Sequence, residues 1–163
     1  MTSIGQGYMQ ASPLELAVAT ARLVGGKKIF PHLEKGEQLS FEDLGFNPEH
    51  LELIKEAMAN TTNSPGGTAF FGRIQQEGKE MGGKTGTSQV RRITLEQRRA
   101  GITKTGHLAW KYREHGLFVG YAPVHNPRYA IAVVVEHGGG PRGATQAARD
   151  ILLKAQLLEE TSK

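Results

Sequence analysis

Two apolar runs in the last third of the chain constrain its fold more than any other feature. They span 117–122 (Leu-Phe-Val-Gly-Tyr-Ala) and 129–135 (Tyr-Ala-Ile-Ala-Val-Val-Val), and both are rich in the β-branched and aromatic residues typical of strands. Only six residues separate them, which is too few for the crossover that two parallel strands need. We therefore expect an antiparallel hairpin.

Helices are predicted at two places before this hairpin. The run 12–15 (Ser-Pro-Leu-Glu) has the residues of a capping box, with proline at the first helical position. Apolar residues then recur at helical spacing until the glycine pair 25–26. Asn47 and Pro48 open a second helix, which we expect to end before a loop at 60–67.

Weaker patterns fill the rest of the first half. We expect a short strand at 29–31, a polar connection at 34–46 and a short helix within 68–76. Residues 81–90 have strand character that is interrupted by glycines.

A long helix is predicted after the glycine-rich turn at 137–141. Its apolar positions keep helical spacing: Ala144, Ala147, Ala148, Ile151, Leu152, Ala155 and Leu158. The small alanines at its start would let it lie close to a sheet. The whole pattern predicts an α+β fold, an antiparallel sheet with helices packed on it.

The composition excludes several kinds of site. The 163 residues include no cysteine, which excludes a disulfide scaffold, a thiolate nucleophile, a cysteine-ligated zinc and an iron–sulfur cluster. The six histidines contain no i, i+4 pair, so we predict no metal site, and nothing in the sequence indicates a cofactor. No apolar run approaches the ~20 residues that span a bilayer. We expect neither an anchor nor an export signal in this chain.

The segment 91–114, termed the basic insert, has a net charge of +5, so the rest of this chain of net charge +4 is close to neutral. Its charged residues are Arg91, Arg92, Arg98, Arg99, Lys104, Lys111 and Arg113 against Glu96 and Glu114. A solvated loop with a short helix near 94–99 is the simpler interpretation, and a basic lip that attracts an anionic ligand is the alternative. Trp110 and Tyr112 are its only large aromatic residues, and no nucleic-acid-binding motif is present, so we expect no nucleic-acid partner.

The densest group of chemically capable residues is 82–88, Gly-Gly-Lys-Thr-Gly-Thr-Ser. Chance is one explanation, since Lys-Thr-Gly occurs again at 104–106 without a strand pattern around it. A second interpretation is a phosphate loop, because 78–85 satisfies the pattern G-x-x-x-x-G-K-[ST]. Such a loop needs a buried strand before it and a helix N-terminus after it, whereas 74–77 is mostly polar and 86–90 is poor helix material.

The third interpretation is an edge strand that binds a peptide-like substrate. Gly86 removes a side chain where a ligand backbone must approach closely. Lys84 supplies a positive charge, and the hydroxyls of Thr85 and Thr87 can donate to a carboxylate. The N–H groups of an exposed edge can pair with an extended peptide or stabilise an oxyanion.

The tetrapeptide Lys84-Thr85-Gly86-Thr87 resembles the Lys-Thr/Ser-Gly signature of the serine penicillin-binding proteins and β-lactamases. The similarity runs along nearly the whole chain, which looks like the second half of such a transpeptidase domain. The resemblance is greatest to the class B, monofunctional enzymes of cell elongation. The segments that carry it, in order, are 3–8, 11–14, 83–90, 115–123 and 126–136.

The resemblance implies a peptidoglycan D,D-transpeptidase, which crosslinks D-alanyl-D-alanine stem peptides through a serine acyl-enzyme and binds β-lactams. Lys84 would favour the anionic end of the stem peptide and assist proton transfer. Thr85 and Thr87 would bind the terminal carboxylate, and the Thr87 N–H would form half of the oxyanion hole. The resemblance also implies a location at the periplasmic face of the inner membrane and partners in the cell-elongation machinery.

The family's nucleophile is missing from this sequence. The family has Ser-x-x-Lys and Ser-x-Asn before Lys-Thr-Gly, and none of the chain's serines fits either pattern: Ser3, Ser12, Ser40, Ser64, Ser88 and Ser162. We therefore expect 1–163 to be the C-terminal portion of a transpeptidase domain, with the nucleophile upstream and no activity of its own.

A portion of a domain leaves a sheet edge and an apolar helix face uncovered, and such surfaces recruit partners. We therefore expect self-association of the chain. A non-catalytic binding or assembly fragment is the alternative function, and a phosphate-loop nucleotide-binding protein is a remote one.

Overall fold

The computed structural model describes residues 10–33, 40–90, 94–101 and 108–161, with only the backbone of residues 97 and 98. In chain order, the elements are α1 (Pro13–Gly25), α2 (Pro48–Asn63), a 3₁₀ turn (Phe70–Gly72), β1 (Gly82–Ser88), α3 (Leu95–Arg99), a second 3₁₀ turn (Trp110–Tyr112), β2 (His115–Ala122), β3 (Tyr129–Val135) and α4 (Arg142–Thr161). The fold is α+β, as the sequence predicts.

The three strands form one antiparallel sheet in the order β1-β2-β3. The predicted hairpin is confirmed as β2 and β3, and β1 pairs with the other side of β2. In the register, Lys84 lies opposite Val119, and Thr85 lies opposite Phe118. This order places β1 at one edge of the sheet that the described residues form.

Helices cover both faces of the sheet. Phe118, Ala148 and Leu152 belong to one buried cluster, so α4 packs on the face to which Phe118 points. Val119 points to the other face, because successive residues of a strand alternate, and there it lines a groove between α1 and α2. The predicted small residues of α4 serve this packing, since Ala144 and Ala148 are fully buried.

The start and end of α1 follow from local chemistry, as predicted. Ser12 Oγ accepts from the Glu15 N–H at 3.2 Å, and the Glu15 carboxylate accepts from the Ser12 N–H at 2.6 Å, which completes the capping box. These hydrogen bonds, first from the backbone and then from the side chain of Ser12, lower the pKa of Glu15. Gly26 ends the helix at a left-handed φ of 64°, a conformation that glycine adopts without strain.

The predicted strand at 29–31 is wrong. The described part of this region contains an isolated bridge between Lys27 and Asp43 instead. The Ile29 carbonyl accepts from Arg22 Nε at 2.8 Å, so a side chain of α1 takes the place of a strand partner. Residues 34–39 of the predicted polar connection lie outside the described part of the chain.

The boundaries after the second helix also differ from the prediction. The expected loop at 60–67 begins only at Ser64, because α2 continues to Asn63, whose side chain donates back to the Ala59 carbonyl at 2.9 Å. The expected helix within 68–76 is wrong apart from the 3₁₀ turn Phe70–Gly72. There the chain runs against α4, where a Cβ on Gly72 would lie 2.7 Å from the Thr145 methyl carbon.

Candidate functional site

The four predicted site residues all lie on β1. Alternation along the strand points Lys84 into the groove between α1 and α2, while Thr85 points to the α4 side. Gly86 and Thr87 follow toward the end of the strand. The four residues therefore lie on one strand at the edge of the described sheet, with the side chains of Lys84 and Thr85 on opposite faces.

The groove beside Lys84 is apolar and open. It encloses about 540 Å³, and its floor is formed by Lys84 and Val119. The walls come from two helices: Leu16, Ala19, Thr20 and Leu23 of α1, and Ile54, Ala57, Met58 and Thr61 of α2. Ile54 is 39% exposed although it belongs to this apolar wall. Within the described part of the chain, an apolar face of α2 is thus partly exposed at the groove.

The two polar side chains at the start of the motif have defined partners. Lys84 Nζ donates to the Thr85 carbonyl at 2.9 Å, which holds the ammonium group close to the strand. The Thr85 hydroxyl lies 3.0 Å from the Thr68 hydroxyl, which comes from the turn after α2. Sequence reasoning missed Thr68, although the glycine pair at 66–67 signals a tight turn before it.

The glycines before Lys84 are explained by packing. A Cβ on Gly82 would lie 2.6 Å from Tyr121 Cε1, and one on Gly83 would lie 2.2 Å from Phe118 Cζ. Gly83, Lys84 and Thr85 belong to an antiparallel strand, so this segment lacks the helix N-terminus that a phosphate loop requires.

The end of α2 is tied to the start of β1. The Met81 carbonyl accepts from the Thr62 hydroxyl at 2.5 Å and from Asn63 Nδ2 at 2.9 Å. Nearby, the Tyr121 hydroxyl donates to the Lys55 carbonyl at 3.1 Å, and its burial, with a smaller contribution from Glu52, raises the pKa of Tyr121. These bonds fix the position of the site strand relative to the groove.

The basic insert leaves the sheet at the end of β1 and returns at the start of β2, where Ser88 pairs with His115. Its predicted short helix is confirmed as α3. Arg91, Arg92 and Lys104 lie outside the described residues, as does the second Lys-Thr-Gly copy at 104–106, and the side chain of Arg98 is not described either. Both ends of the insert are therefore next to the site strand.

Three aromatic rings meet where the insert joins the sheet. The backbone N–H of His137 donates to His115 Nδ1 at 2.9 Å, and the His137 ring centroid lies 4.4 Å from that of Trp110 and 4.7 Å from that of His115.

Within the described part of the chain, no three His, Asp or Glu residues are grouped so that they could hold a metal ion. None of the described helices is long and apolar enough to cross a bilayer.

Comparison with known proteins places these features in one family. The model of the penicillin-binding protein transpeptidase domain matches residues 1–157. The peptidoglycan D,D-transpeptidase MrdA of Acinetobacter baumannii is 33% identical in an alignment 161 residues long, which covers 91% of this chain and 23% of that protein. The enzyme of the same name from Haemophilus influenzae is 34% identical in an alignment 164 residues long, which covers 91% of this chain and 24% of that protein.

Solved structures agree with the sequence comparison. The penicillin-binding protein PBP2 of Helicobacter pylori, in its complex with MreC, superposes with a TM-score of 0.75 at 25% identity, over 98% of this chain and 27% of that chain. Pseudomonas aeruginosa PBP2, in complex with WCK 5153, gives a TM-score of 0.68 at 31% identity, over 95% of this chain and 32% of that chain. The chain spans about a quarter of the length of the curated relatives it matches.

Proposed function

Because the chain belongs to the penicillin-binding protein transpeptidase family, we propose that it forms the Lys-Thr-Gly side of a peptidoglycan D,D-transpeptidase site. This side binds the carboxyl end of D-alanyl-D-alanine stem peptides and of β-lactams. The observation that carries the proposal is the placement of Lys84, Thr85, Gly86 and Thr87 on β1, at the edge of the described sheet.

The chemistry of this strand suits an extended peptide with a terminal carboxylate. The Lys84 ammonium group attracts the negative charge, and the Thr85 and Thr87 hydroxyls donate hydrogen bonds to the carboxylate oxygens. Gly86 leaves the strand surface flat, so that the peptide backbone can approach it. The backbone N–H of Thr87 is suited to one half of an oxyanion hole.

Acylation needs a nucleophile that this sequence lacks. In the complete reaction, a serine attacks the carbonyl of the penultimate D-alanine, the terminal D-alanine leaves, and the amine of a neighbouring strand attacks the serine ester to form the crosslink. The proposed fragment contributes carboxylate binding and one oxyanion donor. These groups alone cannot form the ester, so we expect the chain to be inactive unless a nucleophile is supplied to it.

The surroundings of the complete enzyme are part of the proposal. We assign it to the periplasmic face of the inner membrane, among the proteins of cell elongation, and the Helicobacter pylori complex of PBP2 with MreC supports such a partner. The basic insert, rooted beside β1, steers the carboxylate-rich peptidoglycan toward the site. Unchanged substrate capture at low salt after neutralisation of its arginines would contradict this role of the insert.

The test of carboxylate binding is an NMR titration of the chain with N-acetyl-D-alanyl-D-alanine. We expect shifts of the β1 amide signals, and weaker shifts with the same dipeptide as its C-terminal amide. Lys84→Met removes a charge-assisted hydrogen bond and should raise Kd by about tenfold or more. Lys154→Met is the matched control, because Lys154 is an exposed lysine of α4, the helix that packs on the sheet face opposite to the groove that Lys84 lines. Equal effects of the two substitutions would refute the proposal.

The open groove favours a second candidate function, a non-catalytic assembly fragment. Apolar surface of this kind drives association when nothing covers it. We expect the sedimentation coefficient of the chain to rise with concentration. A strictly monomeric profile over the whole range would contradict self-association.

A further inference from the structure

Thr68 is an exposed residue, yet its hydroxyl has a defined position. It lies 3.0 Å from the Thr85 hydroxyl, and the two residues come from different elements, the turn after α2 and the strand β1. Thr85 is one of the residues assigned above to the substrate carboxylate. A neighbour that fixes the orientation of the Thr85 side chain therefore acts on substrate binding.

The backbone around Thr68 is held rigidly. On one side, Gly67 lies so close to α2 that a Cβ there would be 2.2 Å from the Thr61 carbonyl oxygen. On the other side, the Ala69 N–H donates to the same Thr61 carbonyl at 3.0 Å, and Ala69 is fully buried. The end of α2 is in turn tied to Met81, just before β1. Thr68 is thus anchored to the strand that it contacts.

Counting protons gives the direction of the hydrogen bond when substrate is present. A hydroxyl has one proton to donate and two lone pairs that accept. If Thr85 donates its proton to a carboxylate, it can only accept from Thr68, which must be the donor of the 3.0 Å contact. The two hydroxyls then form a chain from Thr68 through Thr85 to the carboxylate, and successive hydrogen bonds in such a chain strengthen one another.

We propose that Thr68 is a positioning residue that holds the Thr85 hydroxyl in the rotamer that binds the substrate carboxylate. This inference rests on the proposed function of Thr85. Without the contact, the Thr85 side chain can move among the staggered rotamers that the strand allows, and only some of these present the hydroxyl to the ligand. The contact that the structure gives the Thr68 hydroxyl is with Thr85, so we assign its effect on binding to Thr85 and not to a direct bond with the ligand.

The substitutions Thr68→Val and Thr68→Ser test the proposal on the chain itself. Valine keeps the shape but removes the hydroxyl, and we expect the Kd for N-acetyl-D-alanyl-D-alanine to rise about two- to tenfold, the range for one hydrogen bond. Serine keeps the donor and should restore binding. The C-terminal amide of the dipeptide should bind the parent and Thr68→Val chains with the same Kd.

A second measurement tests positioning without any ligand. The three-bond couplings from the Thr85 methyl carbon to its backbone nitrogen and carbonyl carbon report the χ1 rotamer. We expect one rotamer in the parent chain, averaged couplings in Thr68→Val and restored couplings in Thr68→Ser. Thr161→Val is the matched control, because the Thr161 hydroxyl donates to carbonyls of its own helix, Leu157 and Leu158, at the far end of α4.

The outcomes separate this inference from the proposed function. If Thr85→Val leaves the Kd unchanged, the carboxylate-binding role of Thr85 fails. If Thr85→Val weakens binding but Thr68→Val changes neither Kd nor the couplings, the positioning role of Thr68 alone is overturned. If Thr68→Val averages the couplings while binding is unchanged, the contact orders Thr85 but does not serve the substrate, and the proposal is again overturned.

Discussion

The hydrogen bonds from the end of α2 to Met81, just before β1, predict a measurable loss of stability when they are removed. The Met81 carbonyl accepts hydrogen bonds from two side chains, Thr62 and Asn63, and both Met81 and Thr62 are fully buried. Either donor alone still satisfies the carbonyl. We therefore expect Thr62→Val and Asn63→Ala each to lower the free energy of unfolding by about 1 kcal/mol, the usual net contribution of one hydrogen bond.

The double substitution should cost more than the two single ones together. It leaves the buried Met81 carbonyl without either side-chain donor, and an unsatisfied buried group costs about 1–3 kcal/mol in addition. The expected total is about 3–5 kcal/mol, with a coupling energy of at least about 1 kcal/mol between Thr62 and Asn63. The Asn63 amide nitrogen also lies 2.9 Å from the Thr62 hydroxyl oxygen, and this contact adds to the same coupling.

Urea unfolding of the parent chain, the two single variants and the double variant measures this coupling, provided that the slope of the unfolding free energy against urea concentration is the same for all four. Thr61→Val is the matched control, because Thr61 is the preceding residue of the same helix and its hydroxyl donates to Ala57 within α2. It should change stability by no more than about 0.5 kcal/mol. Additive costs for Thr62 and Asn63, within about 0.3 kcal/mol, would refute the shared role of Met81.

Two further predictions concern the site strand and the start of α1. Gly83→Ala puts a Cβ 2.2 Å from Phe118 Cζ and should lower the free energy of unfolding by about 3 kcal/mol or more. In Gly86→Ala the nearest neighbour of the new Cβ is 3.2 Å away, so the loss of stability should be under about 1 kcal/mol. Thermal unfolding of the two variants measures the difference. Glu15 should titrate below the ordinary range of a glutamate carboxyl by NMR, because the hydrogen bonds from Ser12 lower its pKa in the folded chain. Its contribution to stability is therefore present above the ordinary carboxyl pKa and is lost as the pH falls through the folded value. Ser12→Ala removes one of the two hydrogen bonds and should raise the titration midpoint, and an unchanged midpoint would contradict the cap.

The elements that sequence reasoning predicted correctly are those that short-range chemistry determines. The hairpin of β2 and β3 follows from two β-rich runs and a six-residue link, and α1 begins at its capping box and ends at Gly26. The failures at 29–31 and 68–76 have a tertiary cause. At 29–31, the side chain of Arg22 donates to the Ile29 carbonyl, and at 68–76, Gly72 lies against Thr145. Neither contact produces a periodic pattern in the sequence.

The candidate site, too, is only partly predictable from the sequence. The motif on β1 is visible in the sequence because Lys84, Thr85, Gly86 and Thr87 are consecutive. The Thr68–Thr85 contact joins residues 17 positions apart and depends on how α2 packs against β1. The ties from Thr62 and Asn63 to Met81 depend on the same packing. Sequence reasoning therefore finds the strand that carries the candidate motif and misses the contacts that hold this strand in place.

The central claim is that this chain supplies the binding side of a transpeptidase site and not its nucleophile. Incubation with a labelled penicillin, followed by mass measurement of the intact protein, tests it most directly. The account predicts no covalent adduct on the chain alone, and one adduct per molecule on a chimera in which the chain replaces the matching segment of the Acinetobacter baumannii relative. A stable adduct on the chain alone, or none on a folded chimera, would contradict it.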